Sequence, residues 1–131
     1  MEYPTGTATI EFARMGLVVV RFGPKVTLSK AAIKEVMRTR RGSTGGACSA
    51  IVVIPEHTAY DADLLTVDHY VANGLAHRTE ALAIVCEELG LIPTLRLYFA
   101  FFPPPFAVGF CTSVDEARTW MRQRVALGAV V

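Results

Sequence analysis

The sequence has no Cys-x-x-Cys pair, no His-Glu-x-x-His, no Gly-x-Ser-x-Gly and no Gly-Lys-Ser/Thr ending to a glycine-rich loop. Those absences remove the usual signatures of zinc sites, hydrolase nucleophiles and nucleotide phosphate loops. Cysteine is scarce: Cys48, Cys86 and Cys111 are an odd set, each in or beside an apolar run. Cysteine in such runs acts as a small hydrophobe, so reduced, buried thiols are expected. Charge is low, at 19% of residues, and nearly balanced at +1. No global field then draws the chain to nucleic acid or an acidic membrane, and no aromatic residues interleave the basic ones for base stacking. No apolar run reaches the roughly 20 residues that cross a bilayer, because Arg96 and the prolines at 103–105 interrupt the longest one. Residues 1–9 carry no basic-then-apolar leader. A cytoplasmic protein with no membrane span, no metal and no cofactor is expected.

What is present is apolar side chain: 52% of the 131 residues, with a mean hydropathy of +0.37. The length fits a single domain over 1–131 with a core that needs no staples. For so small a domain the apolar fraction is high, which points to apolar surface meeting a partner.

Period-two alternation over 7–12 and the β-branched run of 16–22 predict a hairpin. Helical spacing follows over 27–41, with Thr27 or Ser29 as cap and Ala32, Ile33, Val36 and Met37 as the buried stripe. Lys30, Lys34, Arg38, Arg40 and Arg41 make that helix basic, read as a solvated face with an acidic partner or anionic headgroups as the alternatives. Residues 42–46 run from helix into strand, so this glycine-rich stretch is a turn and not a phosphate cradle. Apolar strands are predicted at 48–54, 80–86 and 106–111, as for a sheet covered on both faces. Between them lie a helix from Asp61 to about Gly74, with Leu64, Val67, Val71 and Leu75 inward, and an apolar helix from Gly90–Pro93 to Phe102. Ser113 and Glu116 form a capping box for a last helix with Ala117, Trp120, Met121 and Val125 inward. The order β-β-α-β-α-β-α-β-α predicts an α/β fold: a mostly parallel five-stranded sheet, an N-terminal antiparallel hairpin and four flanking helices.

That order, together with Thr-Glu-Ala-Leu-Ala-Ile-Val at 79–85 and Val-Gly-Phe-Cys-Thr-Ser-Val-Asp-Glu-Ala at 108–117 followed by Trp120, resembles the SpoIIAA-like (STAS) family. The resemblance implies that family's fold and a regulatory, protein-binding role like that of anti-sigma-factor antagonists. It also implies a phosphoswitch at a serine opening the helix after the third strand. The matching stretch here is Asp61-Ala62-Asp63-Leu64: Asp61 agrees, but Ala62 stands at the acceptor position and has no hydroxyl. Thr58 and Thr66 are the nearby substitutes.

His57, with Glu56, Asp61 and Asp63, is a candidate for metal binding or acid–base work, but no third ligand or partner converges by spacing, and His69 and His77 add none. These residues are read as a solvated loop open to a partner protein, and the chain as a non-enzyme. In the helix ending at Phe102, Ile92, Leu95, Phe99 and Phe102 form a buried stripe, while Leu91, Leu97, Tyr98 and Phe101 occupy the other faces. A helix apolar all round is buried on more than one side. Leu91, Leu97, Tyr98, Phe101 and Phe102 are therefore expected to meet a second copy of the chain, making a homodimer. The alternative is a carrier or sensor of a lipid or other apolar small molecule, with this helix and the 106–110 strand as its wall. Cover by the 126–131 tail is the third possibility.

Overall fold

The computed structural model describes residues 2–14, 16–43, 46–87 and 89–130, and no side chains for 2–4, 14, 43, 89 or 125–130. In chain order the elements are β1 (Glu2–Pro4), β2 (Ala8–Arg14), β3 (Leu17–Phe22), β4 (Thr27–Leu28), α1 (Lys30–Ser43), β5 (Cys48–Ile54) and β6 (Ala59–Tyr60). A 3-10 turn over Ala62–Thr66 precedes α2 (His69–Ala72), β7 (Thr79–Cys86), α3 (Ile92–Phe101), β8 (Ala107–Cys111) and α4 (Val114–Val130). The main sheet runs β1-β2-β3-β5-β7-β8. β1, β2 and β3 pair antiparallel, and β3, β5, β7 and β8 are parallel. All five expected strands are present; β1 is an extra edge strand. β4 and β6 form a second, two-stranded parallel sheet that ties the loop after β3 to the loop after β5. The α/β class, the hairpin and the four helices are as expected.

The parallel strands stand in sequence order, with no reversal. Right-handed crossovers then put every connecting segment on the same face. The main core follows: Val18, Val20, Ala50, Leu82 and Ile84 face Val36 and Met37 of α1, Leu64, Tyr70 and Leu91. α4 comes after the last strand and covers the opposite face, where Val19, Ile51, Ala81, Ala83 and Cys111 meet Ala117 and Met121. Cys48, Cys86 and Cys111 are buried and form no disulfide.

Two helix ends match their sequence signals. Ser29 Oγ accepts from the Ala32 N–H at 3.1 Å, and Ser113 Oγ accepts from the Glu116 N–H at 3.1 Å. Glu116 reaches back one residue further than the capping box requires, to the Thr112 hydroxyl at 2.9 Å and its N–H at 3.3 Å. α1 extends to Ser43, so the expected turn begins later; Thr44 and Gly45 lie outside the described residues, as does the Val125 side chain.

The predicted helix from Asp61 to Gly74 is broken. Asp61 makes no side-chain cap, and the chain is extended at Val67 and Asp68, where α2 starts anew with Asp68 Oδ1 accepting from the Val71 N–H at 3.2 Å. Tyr98 explains the break. Its hydroxyl donates to the Val67 carbonyl at 2.7 Å and accepts from the His69 N–H at 3.0 Å, satisfying groups that a continuous helix would have used internally. Leu64 and Leu75 are buried as expected, but Val71 is 65% exposed and Tyr70 takes its place inside. Gly74 ends α2 at φ +72°, with Arg41 against it.

Gly109 of β8 lies under Trp120. A Cβ there would stand 2.7 Å from Trp120 Cε2 and 2.8 Å from Cζ2, closer than packed carbons approach. Gly109→Ala is expected to cost about 1–3 kcal/mol, as overpacking does. The midpoint of urea unfolding checks this; an unchanged midpoint would show that the ring yields without cost.

Candidate functional site

The three connecting segments do not close over the sheet. A cavity of about 120 Å³ lies between them and the strands, with almost wholly apolar walls. Its floor is Val20, Val52 and Ile84, which are direct neighbours in register across β3, β5 and β7. Val20 is 2% exposed and Ile84 5%, yet Val52 between them is only half-buried. Solvent therefore reaches the middle of the central strand. Ile33, Val36 and Met37 of α1 form one wall, and Leu95, Tyr98 and Phe99 of α3 the other.

The polar side chains among the lining residues are Arg40, His69, Tyr70 and Tyr98, and Arg40 sits where α1 ends and β5 and β7 begin. Arg40 is 3% exposed and lines the cavity. Its Nη2 donates to Thr79 Oγ1 at 2.8 Å and to Cys48 Sγ at 3.3 Å, and Thr79 in turn donates to the Leu75 carbonyl at 2.9 Å. These bonds help hold the guanidinium in the wall. His69 is buried with Nε2 2.7 Å from the Leu64 carbonyl; a carbonyl only accepts, so Nε2 carries the proton. Tyr70 is 9% exposed, its ring edge-on to Phe106 at 5.0 Å. Burial pushes its phenol up to about 12, against the opposing pull of Arg40. Burial also raises Tyr98, partly offset by the hydrogen bond from His69.

The residues singled out in the sequence are distributed differently. Ala62, Asp61, Asp63, Glu56 and His57 are exposed in the loop beyond the end of β5. His57 has a left-handed backbone, φ 59°, and Asp63 lies 3.8 Å from Lys30. Thr58 is 8% exposed and donates to the Pro55 carbonyl at 2.7 Å, so its hydroxyl is an internal group. Thr66 is exposed and donates to the Asp63 carbonyl at 2.6 Å. Among the described residues no three His, Cys, Asp or Glu side chains gather as a metal site, and no helix is long and apolar enough to cross a membrane.

On α3 the expected outer face is corrected. Leu91 and Tyr98 are buried and Phe102 is half-buried, leaving Leu97 and Phe101 exposed at 59% and 73%. The Tyr98 bonds to Val67 and His69 turn the helix so that this ring points inward. The 126–131 tail does not run towards α3: its residues to Val130 belong to α4, on the opposite face. Arg40 and Tyr70 were not recognised as site residues in the sequence. Arg40 does continue the inward stripe of Ile33, Val36 and Met37 at helical spacing, which is the signal that separates it from Lys34, Arg38 and Arg41.

The chain matches no family model, no curated protein and no solved structure.

Since Tyr70 holds its proton to about 12 in the folded chain and releases it near 10 when unfolded, the native state binds more protons between those values. Stability is then lost as pH rises through that window, by up to about 1.4 kcal/mol per pH unit from this group. Urea midpoints on either side of the window should show the fall, and Tyr70→Phe should flatten it. An equally steep fall in Tyr70→Phe would assign the loss to other groups.

Proposed function

We propose that the protein is a non-catalytic regulatory module that carries or senses an apolar small molecule in the cleft between α1 and α3. The half-buried Val52, set between the buried Val20 and Ile84 on the same face of the sheet, carries this reading. A cavity near 120 Å³ approaches the size of an engineered apolar cavity of about 150 Å³ that stays dry and accepts benzene. Burying a six-carbon body would contribute roughly 5 kcal/mol before the cost of association. The resemblance to STAS domains supplies the regulatory side of the proposal. With Ala62 lacking a hydroxyl, Thr58 turned inward and the exposed Thr66 hydroxyl donating to the Asp63 carbonyl, cleft occupancy takes the place of phosphorylation as the input. Three buried thiols fit the cytoplasmic setting that belongs to this reading.

Native mass spectrometry of freshly purified protein, followed by calorimetric titration with benzene-sized apolar compounds, tests the cleft. An adduct or saturable binding is expected, with Val52→Phe abolishing it while the protein stays folded. A clean apo mass with no binding in titration would overturn the proposal.

A second reading, self-association through α3, rests on Leu97 and Phe101, adjacent at i and i+4 and both exposed. Each would contribute about 1.5–3 kcal/mol if covered. Light scattering after size exclusion should then give a dimer whose mass does not change over a concentration series, and Leu97→Glu with Phe101→Glu should give monomers. A wild-type monomer throughout would end this reading.

A further inference from the structure

We infer that the outer edge of β8 is a docking site for an extended segment of another protein bearing two consecutive acidic residues, one meeting Arg96 and the other Arg124. This surface lies apart from the cleft and does not depend on it. β8 ends the main sheet: β7 pairs with one side of it, and among the described residues no strand pairs with the other. A strand bonded on one side only presents a row of unpaired N–H and C=O groups on its open side. Proteins guard such edges with brevity, charge or proline. The opposite edge of this sheet has all three, since β1 is Glu2-Tyr3-Pro4. β8 is Ala107-Val108-Gly109-Phe110-Cys111, with no charge and no proline, and its first four residues are only half-buried. At five residues it has the ordinary length of a strand.

What borders this edge is positive on both faces of the sheet. On the α3 face, the Arg96 guanidinium carbon lies 4.8 Å from the centre of the Phe110 ring. Arg96 is two residues from Tyr98, about 200° round the helix. Tyr98 bonds the connection between β5 and β7, so Arg96 stands on the side of α3 away from it, over β8. On the α4 face, Trp120 lies against Gly109 and Arg124 stands 4.8 Å from the centre of its ring. Both arginines are exposed, and neither meets a carboxylate among the described residues. Each is held beside the edge by a ring, which leaves its N–H groups open to an acceptor. From residue 91 onward the chain has four arginines and two acids, Asp115 and Glu116, both at the start of α4 beyond the end of β8.

Charge selects the occupant. A second copy pairing β8 with β8 would bring the arginines of two edges together, which like charge disfavours. A neutral strand would gain the backbone bonds alone, whereas an acidic one gains those and the charge-assisted bonds to arginine. Successive side chains of an added strand point to opposite faces. Gly109 and Phe110 are consecutive and their arginines lie on opposite faces, so the matching carboxylates belong to consecutive residues.

Three capped peptides, titrated into the full chain and followed by the backbone amide signals in NMR, test this. They are Thr-Val-Thr-Glu-Glu-Thr-Val-Thr, its isomer Thr-Val-Glu-Thr-Glu-Thr-Val-Thr with both carboxylates on one face, and Thr-Val-Thr-Lys-Lys-Thr-Val-Thr. The first is expected to bind about threefold more tightly than its isomer, as one exposed ion pair allows, with the lysine peptide showing no binding. The shifts and the slowed amide exchange should centre on 107–111. Arg96→Glu combined with Arg124→Glu should reverse the preference, so that the lysine peptide binds and the glutamate peptide does not; both sites are exposed, and unchanged signals away from β8 show that the variant folds. Equal affinity for the two acidic isomers, or a preference that survives the charge reversal, would overturn the inference. Shifts confined to α1 would place acidic binding on that basic helix and overturn it as well. So would protection of 107–111 that rises with protein concentration alone, which would assign the edge to a second copy. No binding of any peptide would leave β8 a closed edge and end the proposal.

Discussion

A parallel sheet whose strands follow one another without reversal imposes a lopsided division of labour, and the rest of this molecule follows from it. Every right-handed crossover lands on one face. The loop and α1 after β3, the broken segment after β5 and α3 after β7 all share that side, while the other face waits for α4. Both faces of β5 and β7 are hydrophobic, so neither can be left to water. On the α4 side the answer is economy of size. Ala81, Ala83 and Gly109 carry small or no side chains, which lets α4 come close with Ala117 completely buried.

The crowded side solves its problem less completely. Two helices and a broken strand-to-strand connection make a layer, and the layer has a gap at Val52. In open α/β sheets whose strand order reverses, ligands gather at the switch point beyond the strand ends. This sheet has none, and its distinctive space lies within the layer. Tyr98 is the pivot: the same hydroxyl that breaks the β5–β7 connection into a 3-10 turn and a short α2 also sets the rotation of α3. Had that connection been one continuous helix, Val71 rather than Tyr70 would have faced inward.

Much of the architecture was legible because it depends on local chemistry. Alternation and β-branched runs marked the strands, and Ser29, Ser113, Asn73-Gly74 and Pro93 marked helix ends. The misreadings have one physical origin. The span from Asp61 to Gly74 has helical periodicity, and nothing nearby in sequence announces that a tyrosine some thirty residues later will bond Val67 and His69. The face of α3 was misassigned for the same reason, since in an all-apolar helix periodicity gives no phase and one long-range hydrogen bond supplies it. β4 and β6 are two residues each, too short for any pattern. The candidate site was legible only in part. α3 stands out in the sequence as apolar on every face, but Arg40 reads by charge as one of its basic neighbours, although helical spacing places it with Ile33 and Val36. The cavity itself is a property of how three segments fail to meet, which no single segment encodes.

The lone tryptophan acquires a particular value from its position. Trp120 lies over Gly109 with Arg124 4.8 Å from its ring centre, on the face of the sheet opposite the cleft. Its emission therefore reports on the seating of α4 and is shielded by the whole thickness of the sheet from whatever occupies the space around Val52. Two of the four tyrosines are arranged the other way, Tyr70 and Tyr98 both standing in the cleft wall. Nature has thus put two optically distinct chromophores on the two sides of one sheet. The indole can act as an internal standard for the integrity of the fold while those two phenols register events in the cleft, in the same cuvette and without a label.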